Sequence, residues 1–148
     1  MKKGLVAIIA GAASLAVVGA VGIAVAQGDP IANRKANFKM MADAMKATKA
    51  VIDAGGPTEK AVPEAEKIVQ VARVNPGHFP TGSDKGDTKA LPDIWANKAD
   101  FDKKFATLEA EATKLVAAAK SGDNKALGAQ FGQVGGACKS CHDAYRGK

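Results

Sequence analysis

The chain has two cysteines, and they stand three residues apart near its C-terminal end with a histidine directly after the second: Cys138-Lys139-Ser140-Cys141-His142. Read as C-x-x-C-H, this is the attachment signature of a c-type haem. The spacing has a physical reason. On a helix, residues three apart share a face, so both sulfurs reach the two vinyl groups along one edge of a porphyrin. The imidazole that follows at once can swing beneath the ring to ligate iron. Other chemistries fit the residues less well. A disulfide between Cys138 and Cys141 closes a very short loop and stabilises little. A redox dithiol wants C-x-x-C at a helix start after a strand, and no strand pattern precedes it. A zinc site needs more ligands, and the only other histidine is His78. The expected cofactor is therefore one covalently attached haem c, with thioethers from Cys138 and Cys141 and His142 as axial iron ligand.

Haem attachment of this kind goes with export, and the other end of the chain carries an export pattern. Lys2 and Lys3 precede residues 5–26, LVAIIAGAASLAVVGAVGIAVA, which hold no charged group and close on Ala24-Val25-Ala26. That is a secretory signal peptide over residues 1–26, with cleavage before Gln27 and a periplasmic product. An apolar run of about 20 residues also suffices for an uncleaved membrane anchor, but the small-residue cleavage triplet favours removal. Residues 27–148 then make one domain, too short for a multidomain enzyme or a large sheet with crossovers. The formal charge of the whole chain is +6. No Lys/Arg cluster interleaved with aromatics accompanies it, which argues against nucleic-acid binding. Five Phe, one Trp and one Tyr make a thin core for such a domain, and a cofactor would supply apolar volume.

The elements that must position the Cys/His group are helices. Asp29-Pro30 is an N-cap followed by proline at the first helical position, and Gly55-Gly56 is a stop. Between them Ile31, Arg34, Phe38, Met41 and Met45 recur at three and four. A second helix follows Pro57-Thr58, with Ala61, Ala65, Ile68, Val69 and Ala72 on its apolar face and Asn75-Pro76-Gly77 at its end; Pro63 blurs its start. Residues 75–93 carry no helical period and form a long connection of the kind that is functional or wraps something. A third helix opens near Ile94-Trp95 or Asp100, shows Phe101, Phe105, Leu108, Ala112, Leu115 and Ala119, and stops at Ser121-Gly122-Asp123. The last runs from about Asn124 to Tyr145 with Leu127, Phe131, Val134, Cys138, Cys141, His142 and Tyr145 on a broad face. Gly128, Gly132, Gly135 and Gly136 weaken it by up to about 1 kcal/mol each against Ala, a cost that close approach of a helix or a flat cofactor would justify. The fold class is all-α, an antiparallel four-helix bundle with haem near the C-terminal helix.

An exported four-helix chain with one C-x-x-C-H near its end resembles the class II cytochromes c, the cytochrome c-prime family. The resemblance covers residues 27–148 and rests on Arg34 and Phe38 in the first helix, Pro92-Asp93-Ile94-Trp95, and Cys138-Lys139-Ser140-Cys141-His142-Asp143-Ala144-Tyr145-Arg146. It implies that the first helix covers the haem face opposite His142. In the family, the residue four after the first-helix arginine is Met in low-spin electron carriers and Leu, Phe or Tyr in cytochromes c-prime. Here it is Phe38, which cannot ligate iron, so the resemblance implies a five-coordinate, high-spin haem with an apolar distal pocket. Met41 and Met45 share that face as core filler, and Met41 is the residue that would supply a thioether if the helix slid. Arg34 resembles the family's basic residue near a haem propionate; its other reading is a solvated helix charge. Arg146, four after His142, either raises the redox potential through its field or complements the helix dipole. His78 is expected at the surface and Trp95 at a helix start. Lys98, Lys103, Lys104, Lys114 and Lys120 are expected on a solvated face.

These readings point to a periplasmic haem protein that binds small neutral gases, nitric oxide or carbon monoxide, or transfers electrons to an unidentified redox partner. A low-spin His/Met electron carrier of the same class is the alternative. A peroxidase or reductase is not expected, because no distal His or Arg is placed for O–O cleavage; a non-haem helical protein would lack covalent haem altogether. The family implies homodimers through the first two helices, and Ala and Val on residues 47–72 permit one. Once the signal is cleaved, no membrane association is expected.

Overall fold

The computed structural model describes residues 28–148. The leader read over residues 1–26, with its cleavage before Gln27, lies outside them. Helix α1 (Pro30–Asp53) starts where the sequence places it: the Asp29 carboxylate accepts from the Ile31 amide at 2.9 Å, and Pro30 occupies the first turn. That turn has orphan amides, so a proline costs nothing there and a carboxylate satisfies one of them. The helix ends at Gly55 and Gly56, both at positive φ (77° and 104°), a conformation open to glycine without steric cost. A 3₁₀ turn over Thr58–Ala61 leads into α2 (Val62–Val74), and Pro63 falls in the first turn of α2.

A second 3₁₀ turn (Asn75–His78) opens the long connection. The structure then departs from the single third helix that the spacing predicts. A four-residue helix α3 (Asp93–Ala96) comes first, Asn97 leaves helical backbone (φ −125°, ψ 43°), and α4 (Lys98–Lys120) begins anew. Helix α5 (Asn124–Tyr145) is capped by Asp123, which accepts from the amides of Lys125 (2.9 Å) and Ala126 (3.1 Å). Past its end the chain is stitched to the connection. The Leu91 amide donates to the Tyr145 carbonyl (3.1 Å), the Gly147 amide to the Lys89 carbonyl (2.8 Å), and Ala90 pairs antiparallel with Arg146.

The four long helices form the antiparallel bundle. Helix α4 packs extensively on both α2 and α5, and α1 packs on α2, whereas α1 and α5 touch sparsely. The α2–α4 seam is closed by Ala65, Ile68, Ala112, Leu115 and Ala119, all fully buried, with Ala61 of the preceding turn buried beside them. Full burial of a side chain such as Leu115 contributes about 1.5–3 kcal/mol. The Thr58 hydroxyl donates to the Ala119 carbonyl (2.9 Å), tying the turn before α2 to the last turn of α4. Among the described residues, no helix is long and apolar enough to cross a membrane.

Candidate haem-binding cleft

Where α1 faces the C-terminal half of α5, the two cysteines and the histidine share one cleft. Its walls are Phe38 and Met41 from α1, Lys104, Phe105 and Leu108 from α4, and Ala137, Cys138, Cys141 and His142 from α5. The i, i+3, i+4 spacing of Cys138, Cys141 and His142 puts them on one helical face, and that face is the one turned to α1. Both cysteines are half-buried and not joined to each other. Phe38 is half-buried, its ring 6.4 Å from Phe79 edge-on and 6.4 Å from Phe105. Met41 is buried on the same wall. The residues fit a covalently held haem: two thiols on one edge, an imidazole beside them, and apolar side chains opposite. The cleft lies on the α1–α5 seam, the most sparsely packed of the bundle. A larger open groove of about 360 Å³ lies between α2 and α4 and is lined by Val69, Val74, Val116 and charged side chains, with no thiol or imidazole in its lining.

The electrostatics of the cleft argue against a redox dithiol. Burial pushes the Cys138 thiol up, and burial, with Cys138 beside it, pushes Cys141 up to about 11. A reactive dithiol needs the opposite, a lowered thiol pKa in an electropositive setting. Partial burial and then the Arg146 charge hold His142 below its ordinary value, which keeps the imidazole neutral, the form that ligates a metal. Arg146 therefore acts on His142 through its charge, although it stands at the α5 C-cap in extended backbone and not one turn further along the helix. Tyr145, one turn beyond Cys141, donates to an Asp100 carboxylate oxygen at 2.6 Å. That hydrogen bond, with burial, pushes its hydroxyl up to about 12.

Other residues stand elsewhere than the sequence suggests. Arg34 is not a solvated charge. It is buried, and its guanidinium donates to His78, Ser83 and Thr88 of the long connection. Lys104, expected on a solvated face, is half-buried at the cleft, and its Nζ donates to the Ser140 hydroxyl at 2.9 Å. A lysine has a long apolar stem that covers such a wall while its head stays wet; its place three residues after Phe101 is the only local signal for that position. The α5 glycines divide. A Cβ on Gly128 would meet Ile52 of α1 at 3.6 Å, while one on Gly132, Gly135 or Gly136 would meet nothing within 4 Å. Close helix approach thus accounts for Gly128 alone. His78 is half-buried, and Trp95 lies in α3 with its indole N–H donating to the Phe79 (3.1 Å) and Pro80 (3.0 Å) carbonyls.

Comparison with known proteins places this arrangement in one family. The family described as Cytochrome C' matches residues 29–146. A cytochrome c-prime of Rhodopseudomonas palustris is 43% identical over 143 residues, covering 95% of this chain and 96% of its own. Two solved structures share the fold. Cytochrome c-prime from Shewanella frigidimarina is 34% identical with a TM-score of 0.75, over 81% of this chain and 95% of that one. A nitric oxide complex of a cytochrome c-prime variant from Alcaligenes xylosoxidans is 31% identical with a TM-score of 0.72, over 80% and 94%. A match that runs from Asp29 to Arg146 spans both walls of the cleft and the whole C-x-x-C-H, and with that this chain belongs to the cytochrome c-prime family, whose proteins carry covalently bound haem c.

Proposed function

We propose that the protein is a periplasmic haem protein whose iron is five-coordinate and high-spin, with thioethers at Cys138 and Cys141, His142 as the axial ligand and Phe38 over the opposite side. It binds small neutral gases, nitric oxide or carbon monoxide, or passes single electrons to a redox partner, and it is not an enzyme. The observation that carries the reading is Phe38 on the α1 wall of the cleft, facing Cys138, Cys141 and His142 with no ligating atom. When bound, the haem supplies an iron open to a small gas and a one-electron couple. His142 offers a neutral imidazole. Phe38, Phe105 and Leu108 keep water and anions away from the opposite side, and no hydrogen-bond donor on the α1 wall stabilises a polar ligand there. The related Alcaligenes protein, solved as a nitric oxide complex, supports the gas-binding half of the proposal. Homodimerisation through α1 and α2 fits the exposed Met40 on α1, and a related cytochrome c-prime of known structure shows ligand-controlled dimer dissociation.

Met41 on the same wall favours a second reading, His/Met ligation in a low-spin electron carrier. Absorption and resonance Raman spectra separate the two. The ferric and ferrous protein should be high-spin, Phe38→Met should convert it to six-coordinate low spin, and Met41→Leu should leave it unchanged. A low-spin protein turned high-spin by Met41→Leu would establish the second reading instead.

A further inference from the structure

The connection between α2 and α3 is held by a buried cation. Arg34 is only 2% exposed, and all four acceptors around its guanidinium are neutral: Nη1 donates to the His78 carbonyl (3.2 Å) and the Ser83 hydroxyl (2.8 Å), and Nη2 to the Ser83 carbonyl (2.7 Å) and the Thr88 hydroxyl (2.7 Å). Burial without a tight carboxylate partner pulls the guanidinium below its ordinary value, and Asp29 only partly offsets this. A charge so placed makes its acceptors hard to remove, because each one lost leaves part of a buried cation unsatisfied. The same guanidinium lies 4.5 Å over the centroid of the Phe79 ring. Phe79 is buried, packed edge-on against Phe101 (4.8 Å) and Phe38 (6.4 Å), with its carbonyl accepting from the Trp95 indole. Arg34 and Phe38 are one helical turn apart on α1, so clasp and brace act on the same stretch of wall.

We propose that the 75–91 connection is a positioning element for Phe38: Arg34 clasps the connection, the connection seats Phe79, and Phe79 braces the Phe38 ring against Phe105, which sets how readily the cleft admits a ligand. Neither Phe79 nor Arg34 lines the cleft; in this role both are positioning residues that act through Phe38. The inference rests on Phe38 covering the iron, as proposed above. The Phe38 ring is in aromatic contact with both Phe79 and Phe105, so releasing either neighbour gives it room to swing. Bonds within residues 75–91 are short-range, such as those from Ser83 back to Pro80. The segment is tied to α1 by the buried cation, which alone makes four bonds to it, by the Asn37–Asn75 side-chain hydrogen bond (3.0 Å) and by the exposed Lys35–Asp87 ion pair.

The test is a mutant cycle read by carbon monoxide association with the ferrous holoprotein. Phe79→Leu should speed association about three- to tenfold, the size expected when one aromatic pair is lost from the barrier. In a Phe38→Ala background the same change should have no further effect, since the brace then has nothing to hold. A Ser83→Ala/Thr88→Val double variant, which leaves both rings in place, should speed association in the same direction and lose its effect in the Phe38→Ala background. Arg34→Lys, keeping the charge but losing the fork, should raise amide hydrogen exchange at Ser83 and Thr88. Effects that add to Phe38→Ala, or loosening of the loop with association unchanged in a high-spin parent, would overturn the coupling alone. A low-spin parent spectrum would overturn the five-coordinate reading and the coupling with it.

Discussion

The α2–α4 seam and the α1–α5 seam of one bundle are built from different material. Between α2 and α4, alanines alternate with Ile68 and Leu115, every one fully buried, and the helices lie close because the side chains between them are small. Between α1 and α5 stand the half-buried Phe38, Cys138 and Cys141, with Gly128 against Ile52, and the two helices touch sparsely. The difference teaches where a protein of this size can put a cofactor. Three well-packed seams (α1 on α2, α2 on α4, α4 on α5) give a frame in which the fourth need not be closed by side chains. The thiols and imidazole sit on the seam whose opening disturbs the least packing.

That contrast can be tested from the largest effect to the smallest. The largest is on the open seam. Cys138→Ala with Cys141→Ala should abolish covalent haem, and mass spectrometry of the denatured protein should find the bare polypeptide; haem still attached would break the assignment of the cleft. On the closed seam, Leu115→Ala should cost about 2–5 kcal/mol of stability by chemical denaturation. The haem spectrum of the folded protein should be unchanged, and a change in it would show that the two seams are not separable. The smallest effect is at an uncrowded position of α5. Gly132→Ala adds a Cβ that meets nothing within 4 Å in the middle of a helix, so it should raise stability by about 0.5–1 kcal/mol. A loss instead would mean that the face of α5 bearing Gly132 is covered.

Much of this was legible in the sequence, and the boundary of what was not has a physical cause. Helix caps and stops are local, so Asp29-Pro30, Gly55-Gly56 and Asp123 mark their elements within a residue or so. The Cys/His spacing is local too, and the helical spacing of Phe38 and Met41 puts them on the right face. What the sequence hides is every long-range contact made by residues 75–91. Arg34 reads equally well as a solvated charge because its acceptors, two carbonyls and two hydroxyls, lie 44–54 positions away in a stretch without period. Phe79 carries no signal for the same reason: a single aromatic in a Gly/Pro-rich run shows neither burial nor partner. The break at Asn97 is also invisible, since the residues on both sides of it favour helix. Lys104 looks like its solvated neighbours because only the tertiary arrangement turns it toward Ser140.

The stitch between residues 89–91 and 145–147 has one more consequence. Helices lose their last turns first, since those residues have the fewest bonds to break, and His142 sits in the last turn of α5. Because the Tyr145 carbonyl accepts from Leu91 and the Gly147 amide donates to Lys89, the end of α5 is anchored instead of free. Fraying from the C-terminus has to undo the pairing of Ala90 with Arg146 before it reaches the imidazole. The histidine is thereby kept on an intact helical turn by a segment more than fifty positions earlier in the chain.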